Sequence, residues 1–211
     1  MSATPPTPVR PSRRPLQERG QRRVDAILDA AGELVAEHGI AGVTVHGVAR
    51  RARTAIGSMY HFFPDLEAVL GALADRHARI MRAELEASRT TVDWAALTLD
   101  AAVDGFLDPL LTYIERHPDV LRVLRRPGRP GGDRRRNPEL EGIMLQTAEQ
   151  IVAARTPSAS AAARVARAAT MLALVDGVLT RTERVHTPPA RTMMRELKRA
   201  IVAYLASYEM D

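Results

Sequence analysis

The chain has 211 residues, 45% of them hydrophobic, and its 30 lysines and arginines exceed its 25 acidic residues to give a formal charge of +5. That length suits one large or two small domains with a substantial core, and the basic excess is compatible with a polyanionic partner without demonstrating one. Absence of cysteine excludes disulfides, thiol redox sensing and cysteine-ligated zinc, and the six histidines lack metal-ligand spacing, so no metal or other cofactor is expected.

Residues 1 to 20 form the first segment. Five prolines among Ser, Thr and Arg up to residue 16 cannot bury enough surface to fold, so a disordered arm is expected. Six arginines and one glutamate lie between Arg10 and Arg23. Such an arm could reach phosphates or the minor groove of DNA.

A first helix then runs to His38. Val24, Ile27, Leu28, Ala31, Leu34 and Val35 recur at the spacing of one apolar stripe. Gly39 fits a left-handed position that stops the helix, and Ile40 and Val43 continue the core.

Thr44 can cap a short helix whose inner face is Val45, Val48 and Ala49. A break follows at Ala52 and Arg53, and Thr54 can cap a second short helix through Ile56, Met59 and Tyr60. Two short helices joined by a tight turn make a helix-turn-helix, whose second member lies in the DNA major groove. The second helix suits that task. Gly57 removes a side chain where close approach is needed, while Ser58, Tyr60 and His61 can hydrogen-bond to bases or phosphates. Pro64 closes the unit.

An amphipathic helix is expected from Asp65 to about Ser88, with Leu66, Val69, Leu70, Leu73, Ile80 and Met81 on one side. His77 falls in that stripe and reads as a satisfied core residue. Thr90, Thr91 and Asp93 break the pattern. The next helix spans Trp94 to His117 with Val103, Phe106, Leu107, Leu110 and Ile114 inward. Pro109 lies inside it, at a cost of roughly 3 kcal/mol unless a kink absorbs it. A short helix from Pro118 to Arg126 follows.

Between Arg125 and Pro138, three prolines, three glycines and six arginines in fourteen residues mark a loop. A helix from Glu139 to Arg155 comes next, then one capped by Ser158 or Ser160 that reaches Arg184. From Val165 to Leu179 this helix is apolar nearly all round, so burial on every side is expected, one side against another subunit. Pro188 and Pro189 open the last helix, whose stripe runs from Met193 to Tyr208.

The C-terminal half offers Phe106, Tyr113, Met144, Met171 and Asp176 as ligand-pocket residues, with Asp176 a carboxylate inside an apolar run. No Ser-His-Asp, metal-ligand or paired-carboxylate arrangement is visible, so an enzyme is not expected. No apolar run approaches the roughly 18 residues of a membrane span and no hydrophobic signal region opens the chain, so a cytoplasmic protein is expected.

The pattern V-A-x-x-A-x-x-x-x-G-x-x-Y-x-x-F-P-x-x-E-A-V-L from Val48 to Leu70, preceded by Ile-Leu-x-Ala-Ala at Ile27 to Ala31, resembles the DNA-binding domain of the tetracycline-repressor (TetR) family. The resemblance implies an all-α protein of about nine helices. A three-helix DNA-binding domain would cover residues 21–81, with its motif at about 44–63, and a ligand-binding and dimerisation domain residues 82–211. By the same resemblance Thr44 would hold a phosphate, and His46 would contact a base or phosphate. Ile56, Gly57 and Ser58 would face base edges, and Tyr60 and His61 would contact phosphates or flanking bases. The last two long helices would form a homodimer, reading a palindromic operator as a repressor that an unidentified small molecule releases. An architectural DNA-binding protein without a ligand is the alternative.

Three positions depart from the family pattern. Arg53 stands where the turn commonly has Gly, and carries strain of order 1–3 kcal/mol if that turn needs positive φ. Ala55 stands where a Ser or Thr often touches phosphate. Leu66 replaces the lysine usual at the next helix start.

Overall fold

The structure, a computed structural model, describes residues 13–126, 137–184 and 189–209. Within these residues it is all-helical, with nine α-helices and one 3-10 turn. By internal contacts the chain divides after Leu73 into two compact units.

The first unit begins with α1 (Arg13–His38). Residues 1–12 of the expected arm lie outside the described residues, and residues 13–20 are helical rather than part of an arm. Pro15 does not prevent this, because it falls in the first turn, where the backbone N–H groups have no intrahelical acceptor. Ile27, Leu28, Ala31, Leu34 and Val35 are buried as their spacing requires. Each large aliphatic side chain so buried contributes roughly 1.5–3 kcal/mol.

Gly39 ends the helix with φ 68° and ψ 171°. The positive φ matches expectation. The ψ does not, since it lies in the extended positive-φ region open essentially to glycine alone rather than in the left-handed helical one. A 3-10 turn (Ile40–Gly42) leads to α2 (Val45–Arg51) and α3 (Ile56–Phe62).

The second unit takes over within α4 (Leu66–Thr91). Asp65 starts this helix by accepting the Ala68 N–H at 2.8 Å. It outlasts the expected end at Ser88, and the hydroxyls of Thr90 and Thr91 turn back onto the carbonyls of Glu86 and Ala87. The following helix, α5 (Leu99–Arg116), starts later than expected, at a cap in which Thr98 accepts the Ala101 N–H. Trp94 is instead a buried residue of the connection, and its ring lies 3.5 Å from where a Cβ on Gly105 would stand. The helix continues through Pro109, which is exposed.

Next come α6 (Val120–Leu124), α7 (Pro138–Arg155), α8 (Ala161–Arg184) and α9 (Ala190–Ala206). Asn137 caps α7 with Pro138 in its first turn. The loop expected from Arg125 to Pro138 falls mostly outside the described residues. Phe106, Leu107, Ile151, Met171, Ile201 and Leu205 form the centre of the core. On α8 the buried face is Ala168, Met171 and Val175, while Val165, Ala169, Ala173 and Gly177 are exposed, so within one chain the helix is not buried all round. No helix among the described residues is long and apolar enough to cross a membrane.

Candidate nucleic-acid interface

The pair α2–α3 is built from its ends inward. Thr44 caps α2, its Oγ1 accepting the Gly47 N–H at 3.0 Å. Gly47 makes room for this, since a Cβ there would stand 3.1 Å from Thr44 Oγ1. The acceptor lone pair is used by the cap, which leaves the exposed Thr44 hydroxyl proton to donate outward.

The turn after α2 has a defined hydrogen-bond pattern. Thr54 N–H donates to Ala49 C=O at 2.9 Å and Arg53 N–H to Arg50 C=O at 3.2 Å. These are the two bonds of a Schellman termination, which needs a residue of positive φ at its C′ position. Arg53 holds that position at φ 50°. The expected conformation is therefore present, on a residue with a Cβ.

The cap of α3 is Ala55 rather than Thr54. The first intrahelical carbonyl is that of Ala55, which accepts the Met59 N–H at 3.0 Å, so the helix begins one residue later than expected. The Thr54 hydroxyl donates to Ala52 C=O at 3.3 Å, and no side chain caps α3.

Arg51 braces α2 against α1. Its guanidinium contacts Glu37 at 2.7 Å and Glu33 at 2.9 Å. The hydrogen bond donated by Arg51 holds the Glu37 carboxyl below its ordinary range, and the bonds that Arg51 donates to Glu37 and Glu33 push its own value further up. This arginine therefore stays charged and is committed to its own fold. The sequence reading missed the brace, although Glu33 and Glu37 are spaced four apart on the outer face of α1.

On α3, Met59 is fully buried and anchors the helix. Exposed on α3 are Gly57 and His61, with Tyr60 at 48% and, flanking Met59 one turn earlier, Ile56 at 37%. A Cβ on Gly57 would meet nothing within 4 Å. Packing within the chain therefore gives no reason for glycine there, although glycine in a helix costs about 1 kcal/mol against alanine. Tyr60 is not a core ring. Ser58 is half-buried and His46 exposed on α2.

The five candidate pocket residues differ in setting. Phe106 and Met171 are fully buried core residues, and Met144 is half-buried beside them. Asp176 is exposed on α8 and pairs with Arg125 at 2.8 Å, which replaces the buried apolar setting expected of it. The Tyr113 hydroxyl lies 2.7 Å from His77 Nδ1. A cleft of about 550 Å³ between α5 and α9 is edged by Asp104, Asp108 and Lys198, and a smaller cavity of about 160 Å³ adjoins Val123 and Leu124. None of the five lines either space.

Residues 27–73 match the family described as bacterial regulatory proteins, tetR family, and residues 98–205 match the tetracyclin repressor-like C-terminal domain. The fold is similar to SmeT, the repressor of the Stenotrophomonas maltophilia multidrug efflux pump SmeDEF, at 23% identity and TM-score 0.64, covering 88% of this chain and 89% of that one. It is also similar to a TetR transcription regulator from Haloarcula marismortui at 15% identity and TM-score 0.70, covering 89% and 98%. A TetR-family regulator from Streptomyces coelicolor aligns at 19% identity and TM-score 0.62, covering 88% and 99%. No curated protein matches the chain in sequence.

Proposed function

Because the chain belongs to the tetR family of bacterial transcriptional regulators, we propose that it is a homodimeric repressor that reads a palindromic operator through α3 and is released by a small molecule. The observation that carries the DNA reading is the outer face of α3. It offers Tyr60 at 48% exposure beside a glycine that no internal packing requires. Thr44 at the cap of α2, His46 on α2, and Ser58 and His61 on α3 supply polar groups that would hold phosphates or base edges.

Dimerisation is supported by α8 and α9. Val165, Ala169, Ala173 and Gly177 stand four residues apart on the exposed side of α8, and Ala200, Ala203 and Ser207 are exposed on or next to α9. Small side chains on two neighbouring helices allow a second pair to approach closely, and a twofold dimer would present two copies of α3 to inverted half-sites.

Release by a ligand is supported by the match of residues 98–205 to the C-terminal domain of tetracyclin repressor-like proteins. SmeT, a similar fold, forms a complex with triclosan. The test is selection of bound sequences from random duplex DNA, followed by a screen for compounds that dissociate the complex. Inverted half-sites roughly one or two helical turns apart are expected. Coating that depends only on duplex length would favour an architectural protein instead.

A further inference from the structure

Ile56 is an anomaly on the outer face of α3. It is a branched hydrocarbon, 37% exposed, on a helix whose inward anchor is Met59. It can neither donate nor accept a hydrogen bond, so it contributes nothing to phosphate contacts. On the DNA reading proposed above, on which this inference rests, its surroundings would be the floor of the major groove. The base-edge atoms there are mostly hydrogen-bonding nitrogens and oxygens, and the C5-methyl group of thymine is the one apolar group that protrudes beyond a ring C–H. Placing isoleucine against a polar base atom strips water from it with no compensating bond, which is unfavourable. Against a thymine methyl, both surfaces leave water favourably. Gly57 is the next residue, where a Cβ would meet nothing within 4 Å, so the backbone beside Ile56 is free to come close to the base pairs.

We infer that Ile56 reads a thymine through its C5-methyl group at one fixed position in each half-site. The operator is therefore specified there by an apolar contact and not by a hydrogen-bond pair.

The test uses the best duplex recovered from random DNA by the full-length protein. Each symmetry-related pair of thymines is replaced in turn by deoxyuridine, which removes the methyl group and keeps base pairing. One pair is expected to weaken binding about 4-fold per half-site, about 15-fold together, from the loss of one buried methyl group at each. In Ile56→Ala the thymine and deoxyuridine duplexes should bind alike. Ile56→Val, which keeps a branched side chain, should retain discrimination. Circular dichroism checks that both variants keep wild-type helix content before their affinities are compared. The inference is overturned if no thymine pair is sensitive to its methyl group, or if the sensitivity survives in Ile56→Ala. A selection that recovers no preferred sequence would bring down both this inference and the proposed function; a preferred sequence with no methyl effect would remove this inference alone.

Discussion

His77 Nε2 lies 2.8 Å from Asp119 Oδ2, with both side chains buried, and joins α4 to the start of α6. A carboxylate only accepts, so Nε2 carries a proton and donates to it. In the neutral ring Nδ1 then accepts from the Tyr113 hydroxyl at 2.7 Å. The His117 ring stands 4.5 Å from that of Tyr113 and 5.7 Å from His77. Burial pushes the Asp119 carboxyl up, but the hydrogen bond donated by His77 outweighs this and, with its own backbone and the nearby His117, holds it below its ordinary value. Burial also raises the Tyr113 hydroxyl.

Asp119→Asn is therefore expected to cost about 1–2 kcal/mol at pH 7, since a buried charged hydrogen bond becomes a neutral one. The sign with pH follows from the lowered folded pKa. The stabilising contribution is full well above the ordinary aspartate value of 3.8 and disappears as pH falls through the lower folded value. Urea denaturation of the two proteins at pH 7 and at pH 3 should show the gap between them narrowing at the lower pH. A gap that stays constant would mean that Asp119 is not held ionised by His77.

Arg53→Gly should stabilise the fold by about 1 kcal/mol, because a residue with a Cβ at φ 50° carries a penalty that glycine does not. Gly39→Ala should act in the opposite direction. A Cβ there has free space around it, but φ 68° with ψ 171° excludes it. Thermal melts of both variants check the pair of signs.

Helical periodicity made the elements legible because each apolar stripe records its own buried face, as with Ile27 to Val35 and Val103 to Leu110. The strain at Arg53 was legible from the position of the residue in its motif. Partners distant in sequence were not. His77 stood in an apolar stripe, but nothing local points to Asp119, 42 residues away, and nothing near Asp176 points to Arg125, 51 residues away. Phe106 and Met171 are legible as buried apolar residues, but a core residue and a pocket wall have the same composition, and only packing separates them. The cap of α3 is Ala55 and not Thr54, whose hydroxyl turns back onto the Ala52 carbonyl, a local choice that residue preference does not register.

Ala173→Arg should convert the dimer to monomers while leaving the fold of each chain intact. Ala173 is exposed within the chain, so the arginine meets water in the monomer and an apolar partner only in the dimer. Leu172→Arg is a harsher variant because Leu172 is half-buried against the core of its own chain. Sedimentation velocity distinguishes the outcomes, and an unchanged dimer would move the interface away from this face of α8.

Leu66→Lys should add one cation per chain at the start of α4, next to the Asp65 cap. If that helix start adjoins a phosphate, the log–log salt slope of operator binding steepens by about 2 for a dimer. Leu66 is half-buried, so some loss of packing accompanies the change. Lost packing weakens binding without altering the slope, so a salt series separates the two effects. An unchanged slope in a folded variant would place the helix start away from the DNA backbone.

The affinity of Tyr60→Ala for the selected operator tests the DNA reading most directly. Tyr60 is 48% exposed, so its removal should cost about 1–2 kcal/mol and leave the domain folded, which circular dichroism checks. Loss of its contact in both subunits should weaken operator binding at least about tenfold in a gel-shift titration. Wild-type affinity in the folded variant would contradict the assignment of the outer face of α3 to DNA.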